Sequence, residues 1–258
     1  MKKRVSCILM LAATTLAAPP VFAQASAPAA AQNATNPVDP AAVEALQKMG
    51  TWLQSLKRFS VSTDLTGERV LEDGQKLQHS ANAELDVDRP HRIRAVLTTA
   101  RGKREIFFDG KAVTLYTPAQ KYFSTVAFDG TIGGLIDRLR DNYGVEIPLA
   151  DLFVWGTPEA PTGQFESAMY AGQDYINDDL CNHYAFRQKA IDWQIWISAG
   201  ASPMPRKIVI TRRDDDARPQ SVSILDWTIP PRFKDSDFAF HPPAGAKKIE
   251  IVPVKNKG

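Results

Sequence analysis

Cysteine is scarce in this sequence: Cys7 and Cys181 are the only two in 258 residues. Cys7 falls in an N-terminal export signal, so the processed chain keeps one thiol and can form no internal disulfide. The stability of the exported domain must then come from its core. Histidine is nearly as rare, with His79, His91, His183 and His241 scattered along the chain. No G-x-S-x-G, H-E-x-x-H, G-x-x-x-x-G-K-[ST] or dinucleotide glycine pattern occurs. The local signatures of serine hydrolases, zincins and nucleotide-binding proteins are therefore missing. Beyond the N-terminus no apolar run approaches the roughly 20 residues that span a bilayer, so no transmembrane anchor is expected in the mature form. There is no basic block either. The formal charge of +2 includes Lys2, Lys3 and Arg4, and removing residues 1–23 takes no acid with them, leaving −1. A near-neutral chain without a basic patch argues against nucleic acid as a partner.

The N-terminus carries a positive start, a mostly apolar stretch over 7–18, and the small-residue spacing Val21-Phe22-Ala23. That is a secretory signal peptide over 1–23, with cleavage after Ala23. Residues 24–38 are rich in Ala, Pro, Asn, Gln and Ser without apolar periodicity, and read as a disordered leader. The remainder, 39–258, reads as a single domain, long enough to bury roughly 70% of its extended surface.

Asp39-Pro40 opens a helix as N-cap and first helical residue. Val43, Leu46, Gly50, Leu53 and Leu56 form its stripe, widened by Met49 and Trp52, to about Lys57. From Phe59 the period changes to two. Phe59, Val61 and Leu65 oppose Ser60, Ser62 and Asp64; Ala81, Ala83, Leu85 and Val87 oppose Asn82, Glu84, Asp86 and Asp88; Ile93, Ala95 and Leu97 oppose Arg92 and Arg94. One face is charged and the other greasy, as antiparallel sheets allow. Asp109-Gly110 predicts a two-residue hairpin turn. The aromatics Phe107, Phe108, Tyr116, Tyr122 and Phe123 fall on both faces of the strands around it, which are either covered on both sides or line a cavity. Helices are predicted over 131–143, with Ile132, Leu135, Ile136 and Leu139 on one side, and over 148–155, with Leu149, Leu152 and Phe153. Strands resume over 167–176 and 181–188, and a meander follows: Ile191, Trp193, Ile195 and Ile197 on one face, then Ile208 and Ile210, then 222–227.

Candidates for chemistry are few. Cys181-x-His183 would share one strand face and could bind zinc or form a thiol–imidazole pair, but zinc needs further ligands that only distant residues could supply. A buried thiol beside a hydrogen-bonded histidine is the plainer reading. Asp174, Asp178 and Asp179 lack the calcium-loop pattern ending in Glu and read as a solvated turn. Trp52, Trp155, Trp193, Trp196 and Trp227 either line a lipid pocket or fill the core.

The runs W-Q-I-W-I at 193–197, P-R-K-I-V-I-T at 205–211, L-D-W at 225–227 and F-x-F-x-P-P-A-G-A at 238–246 resemble a family of predicted periplasmic proteins of unknown function. That family belongs to the superfamily of LolA/LolB-type outer-membrane lipoprotein carriers. The resemblance continues upstream in F-D-G-K at 108–111 and P-L-A-D-L at 148–152. It implies an α+β fold: a strongly curved antiparallel sheet of about eleven strands, an open half-barrel covered by an N-terminal helix and two short middle helices. It also implies a periplasmic, non-catalytic binding protein or carrier, with no cofactor or metal. The ligand would be a lipid, a lipoprotein acyl chain or a similar amphiphile in a hydrophobic cavity. The face and helix pattern nominates Trp52, Leu56, Leu135, Leu139, Leu152, Phe153, Trp193 and Ile195 as its lining. The alternative is a sensor or scaffold that binds an envelope protein. An enzyme built on Cys181 and His183 is the remaining reading.

Overall fold

The structure of the protein, a computed structural model, describes residues 37–160 and 162–253. The signal peptide expected over 1–23 and residues 24–36 of the expected leader lie outside the described residues. Pro37 and Val38, read above as the end of the leader, already belong to the fold: Val38 bridges Ala168, whose N–H donates to the Pro37 carbonyl at 2.8 Å.

Asp39 caps helix α1 (Pro40–Ser55) as its sequence requires, its Oδ1 accepting from the Ala41 N–H at 2.9 Å. Ala42, Leu46, Met49, Gly50 and Leu53 form the buried stripe. Six antiparallel strands follow as a meander: β1 (Arg58–Val70), β2 (Lys76–Asp88), β3 (Arg92–Thr99), β4 (Gly102–Phe108), β5 (Ala112–Thr117) and β6 (Tyr122–Ala127). Helix α2 (Ile132–Tyr143) is capped by the Thr131 hydroxyl and stopped by left-handed Gly144. A second set comprises β7 (Ser167–Ile176), β8 (Asp179–Arg187), β9 (Ile191–Ser198), β10 (Pro205–Arg212) and β11 (Gln220–Thr228). β11 returns to pair antiparallel with β1, joining the two sets through Val61↔Trp227 and Leu65↔Ser223. A two-residue strand, β12 (Lys247–Lys248), adds to β6 in parallel. The result is one curved, unclosed sheet of twelve strands, with β12 at one edge and β7 at the other.

The α+β character and the open curved sheet are as expected; the cover is not. Among the described residues only α2 is a middle α-helix. The second, expected over 148–155, is a four-residue 3-10 turn (Ala150–Phe153). Leu149 takes a left-handed conformation (φ 58°) directly before it, and a left-handed residue cannot sit inside the α-helix expected over 148–155. The hairpin after β4 also differs. Asp109 and Ala112 face each other, so the tight positions are Gly110, with φ 95°, and Lys111. Asp109 instead accepts the Lys111 and Ala112 N–H groups through Oδ1, each at 2.9 Å.

The inward face holds one continuous core. Phe59, Val61, Leu85, Val87, Ile93, Phe108 and Ile195 from the sheet meet Leu46 and Leu53 of α1 and Leu135 and Leu139 of α2. The outward aromatics of β4–β6 are covered by the chain after β11. Phe240 sits among Phe107, Tyr116 and Phe123, with ring centroids 5.4, 5.2 and 5.1 Å away. Phe238 is fully buried against Phe233, with Arg92 over its ring. Both faces of that region are therefore covered.

Candidate functional site

Along each inward strand row, burial fades from one end to the other. On β1, Phe59, Val61 and Thr63 are closed over, while Leu65 and Gly67 are half-open and Arg69 is exposed. On β3, Ile93 and Ala95 are buried but Leu97 is half-open. The reason is the cover. The 3-10 turn packs Leu152 and Phe153 onto the Phe59 layer, with the Phe59 and Phe153 rings 6.3 Å apart, whereas the chain from Val145 to Leu149 arches over the next layers. Between them lies a cavity of about 480 Å³, lined by Leu65, Leu97, Ile136, Ile147, Pro148 and Leu149.

Three charged groups reach this cavity: Arg140, Glu146 and Asp151. Arg140 already holds Asp137 at 2.7 Å and Asp141 at 3.0 Å. Asp151 keeps solvent contact at the rim while protein crowds out water on its other sides. That desolvation first, and the charge of Glu146 second, push its carboxyl above the usual range.

The eight residues nominated from the sequence all join the one cluster on the inward face. Leu135, Leu139, Leu152, Phe153, Trp193 and Ile195 are buried within it, and Trp52 and Leu56 are half-buried against it. None of them lines the cavity under α2. Trp52 lines a separate shallow groove of about 600 Å³ with Lys48, Thr51 and Pro203. The cavity is lined instead by the next residues along the same rows, Leu65 and Leu97, with Ile147 and Leu149 from the arch. Their signal was present as inward apolar positions beyond the reach of the covering helix.

Cys181 and His183 do share one face of β8, the outward one. Cys181 is buried with Trp196 and Val209 in a small second cluster, where burial and the nearby Asp179 push its thiol up. His183 stacks on Trp196, with centroids 4.0 Å apart, and its Nε2 lies 3.0 Å from Gln194 Oε1. Asp174 accepts the Trp196 indole N–H at 2.8 Å. The pair is thus part of a hydrogen-bonded aromatic patch. Among the described residues no group of three or more His, Cys, Asp or Glu is placed to hold a metal ion, and no helix is long and apolar enough to cross a membrane.

An open antiparallel sheet curved around one apolar face, with a cavity beneath its helical cover, defines the class of protein. The chain belongs to the family described as predicted periplasmic protein (DUF2092), which matches residues 42–252, and its location is periplasmic. No curated protein matches it in sequence. Among solved structures it is similar to lipoprotein LppX of Mycobacterium tuberculosis, at 12% identity and a TM-score of 0.46, over 75% of this chain and 98% of that one. It is similar also to LprF from Mycobacterium bovis, at 14% identity and 0.45, over 81% and 99%. An uncharacterized conserved protein from Thermus thermophilus matches at 10% identity and 0.45, over 81% and 98%. Likenesses this shallow leave the ligand to be argued from the residues of this chain.

Proposed function

We propose that this protein is a periplasmic binding protein or carrier that holds the apolar part of a lipid, a lipoprotein acyl chain or a similar amphiphile. The observation that carries the reading is the cavity of about 480 Å³ between α2, the Val145–Leu149 arch and the half-open Leu65 and Leu97. That volume lies within the roughly 300–1,000 Å³ usual for small-molecule sites. Each buried methylene contributes about 0.8 kcal/mol. A long chain therefore gains on the order of 10 kcal/mol gross, and the freedom lost on binding leaves about micromolar affinity. Trp193 and Ile195 belong to the packed core of the same inward face, outside the cavity lining. Leu135, Leu139, Leu152 and Phe153 hold the cover in place, and Trp52 and Leu56 close its α1 side. In this reading the exported chain begins at Gln24, after cleavage of residues 1–23. Native mass spectrometry of the protein purified from its own periplasm should show an added mass that a delipidating solvent removes. A delipidated protein that ignores fluorescent acyl probes would sink the reading.

One observation favours the alternative of a sensor or scaffold for an envelope protein. Edge strand β7 exposes Met169, Tyr170 and Tyr175, the last 72% accessible. A partner bound there would protect the β7 amides from hydrogen exchange and leave acyl probes unbound.

A further inference from the structure

The inward rows of β1 to β6 carry no carboxylate. Across six strands their basic side chains are Arg69, His79 and Arg104, as the registers Arg69↔Leu77, Gly67↔His79 and Leu97↔Arg104 show. All of them lie at the open end of the trough. The acids of the same strands (Asp64, Glu68, Glu84, Asp86, Asp88, Glu105) alternate onto the outward face. There Glu105 holds Arg94 and Lys103, and Glu68 holds Lys76. Arg101, in the turn between β3 and β4, joins the inward group. It lines a hollow of about 470 Å³ with Arg69, Leu77 and His79, and an adjoining one of about 240 Å³ with Arg104 and Leu97. Neither hollow is lined by an acidic residue. Leu97 also lines the cavity under α2, and Leu65 of that cavity stands opposite Ala81 of the larger hollow. The apolar trough therefore runs directly into the basic end.

These arginines are also unengaged. Among the described residues Arg69, Arg101 and Arg104 make no side-chain hydrogen bond and no salt bridge. Arg58, Arg92, Arg94 and Arg187 on the outward face, by contrast, each hold a carboxylate. His79 is held in place by contact, its ring packed over the Gly67 backbone so closely that a Cβ there would lie 2.8 Å from Nε2. Three guanidinium groups without counter-ions, at the mouth of an apolar cavity, complement a negative group attached to an apolar chain.

We propose that Arg69, Arg101 and Arg104 form the head-group site of this trough, and that its ligand is an anionic amphiphile bearing a phosphate or comparable anion. This rests on the cavity reading above and adds the class of head group. The fork of each guanidinium donates to anion oxygens, while the chain lies along Leu65, Leu97 and Ile136. Because the three groups are exposed, each contact is modest and screened by salt. Their sum sets selectivity more than affinity.

The test is calorimetric titration of the exported protein with dodecyl phosphate, dodecanol and inorganic phosphate. Dodecyl phosphate should bind about tenfold more tightly than dodecanol at low salt, with the difference shrinking as salt rises. The variant Arg69→Gln/Arg101→Gln/Arg104→Gln, all at exposed positions, should keep its circular dichroism and its affinity for dodecanol while losing the preference. Equal binding of the two twelve-carbon probes, or a preference that survives in the triple variant, would overturn the head-group site and leave the cavity reading standing. Failure of both probes to bind would overturn the two together. Inorganic phosphate binding as tightly as dodecyl phosphate would mean an anion site with no chain beside it, and the amphiphile would be abandoned.

Discussion

Gly50 of α1 and Gly156 of the chain after the 3-10 turn meet backbone to backbone. A Cβ on Gly50 would lie 2.4 Å from the Gly156 nitrogen, and one on Gly156 would lie 2.4 Å from the Gly50 carbonyl carbon and oxygen. Gly156 also needs its positive φ of 84°. Beside this contact the Gln54 amide donates to the Trp155 carbonyl at 2.7 Å. One end of the cover is thus pinned to α1, and the arch over the cavity connects to that pin through the 3-10 turn.

The first prediction follows from this contact. In an ordinary helix interior Gly→Ala stabilises by about 1 kcal/mol. Gly50→Ala should do the opposite, costing about 1–3 kcal/mol because the two backbones must separate. The urea unfolding midpoint reads the sign. An unchanged or raised midpoint would mean that the two segments are not in contact.

The second concerns which apolar residues tolerate a charge. Leu97 is half-open at the cavity, so Leu97→Glu should leave the sheet intact by circular dichroism and weaken acyl-probe binding about tenfold or more. Leu139 is 1% exposed, and Leu139→Glu should cost upwards of about 4 kcal/mol and abolish the cooperative thermal transition. If Leu139→Glu folds normally while Leu97→Glu binds probes as the parent does, the cavity has been placed in the wrong layer.

Asp151 provides a pH dependence. Its carboxyl is pushed up in the folded state, so the group favours folding while protonated and opposes it once ionised. That favourable contribution is complete below the unfolded-state value and lost as pH rises through the higher folded-state one. Asp151→Asn, fixed in a neutral form, should match the parent in Tm near pH 3 and exceed it at neutral pH. A variant less stable than the parent at pH 7 would show that the ionised carboxylate is stabilised in the folded protein.

Cys181 should behave as packing rather than chemistry. It is fully buried with a raised thiol, so Ellman's reagent should label it only as fast as the domain opens. Cys181→Ala should cost about 1 kcal/mol and leave probe binding within a few-fold. Rapid labelling in native buffer would return the Cys181–His183 pair to consideration as a reactive site.

The strands and α1 were legible because their signals are local. Phe59-Ser60-Val61-Ser62 alternates whatever lies above it, and Asp39-Pro40 starts a helix with its own side chain and its own ring. The meander through Trp193, Ile208 and Leu225 was visible for the same reason, its polar breaks falling between strands of matched period. The helix over 148–155 was misread. Leu149, Leu152 and Phe153 have helical spacing, but Leu149 is held left-handed, and only the fixed paths of its neighbours in the cover impose that. Outward Phe107, Tyr116 and Phe123 were left with two readings because their partner, Phe240, arrives from more than a hundred residues away.

By itself the sequence determined the alternating rows of β1 to β3 and β9 and the N-terminal helix. These depend on a period of two or 3.6 and on caps a few residues long. Tertiary structure decided which inward apolar residues became wall and which became cavity. Val61 and Leu65 share a strand, a face and a hydrophobic character, yet Val61 is 1% exposed and Leu65 is half-open. The difference is that Phe153 and α1 cover one layer, while the next lies under an arch held off the sheet. It also brought Arg69 of β1 to the same end of the trough as Arg101 and Arg104, which lie at the β3–β4 turn. No local pattern encodes that meeting, because it depends on the registers of four paired strands and on where the cover stops.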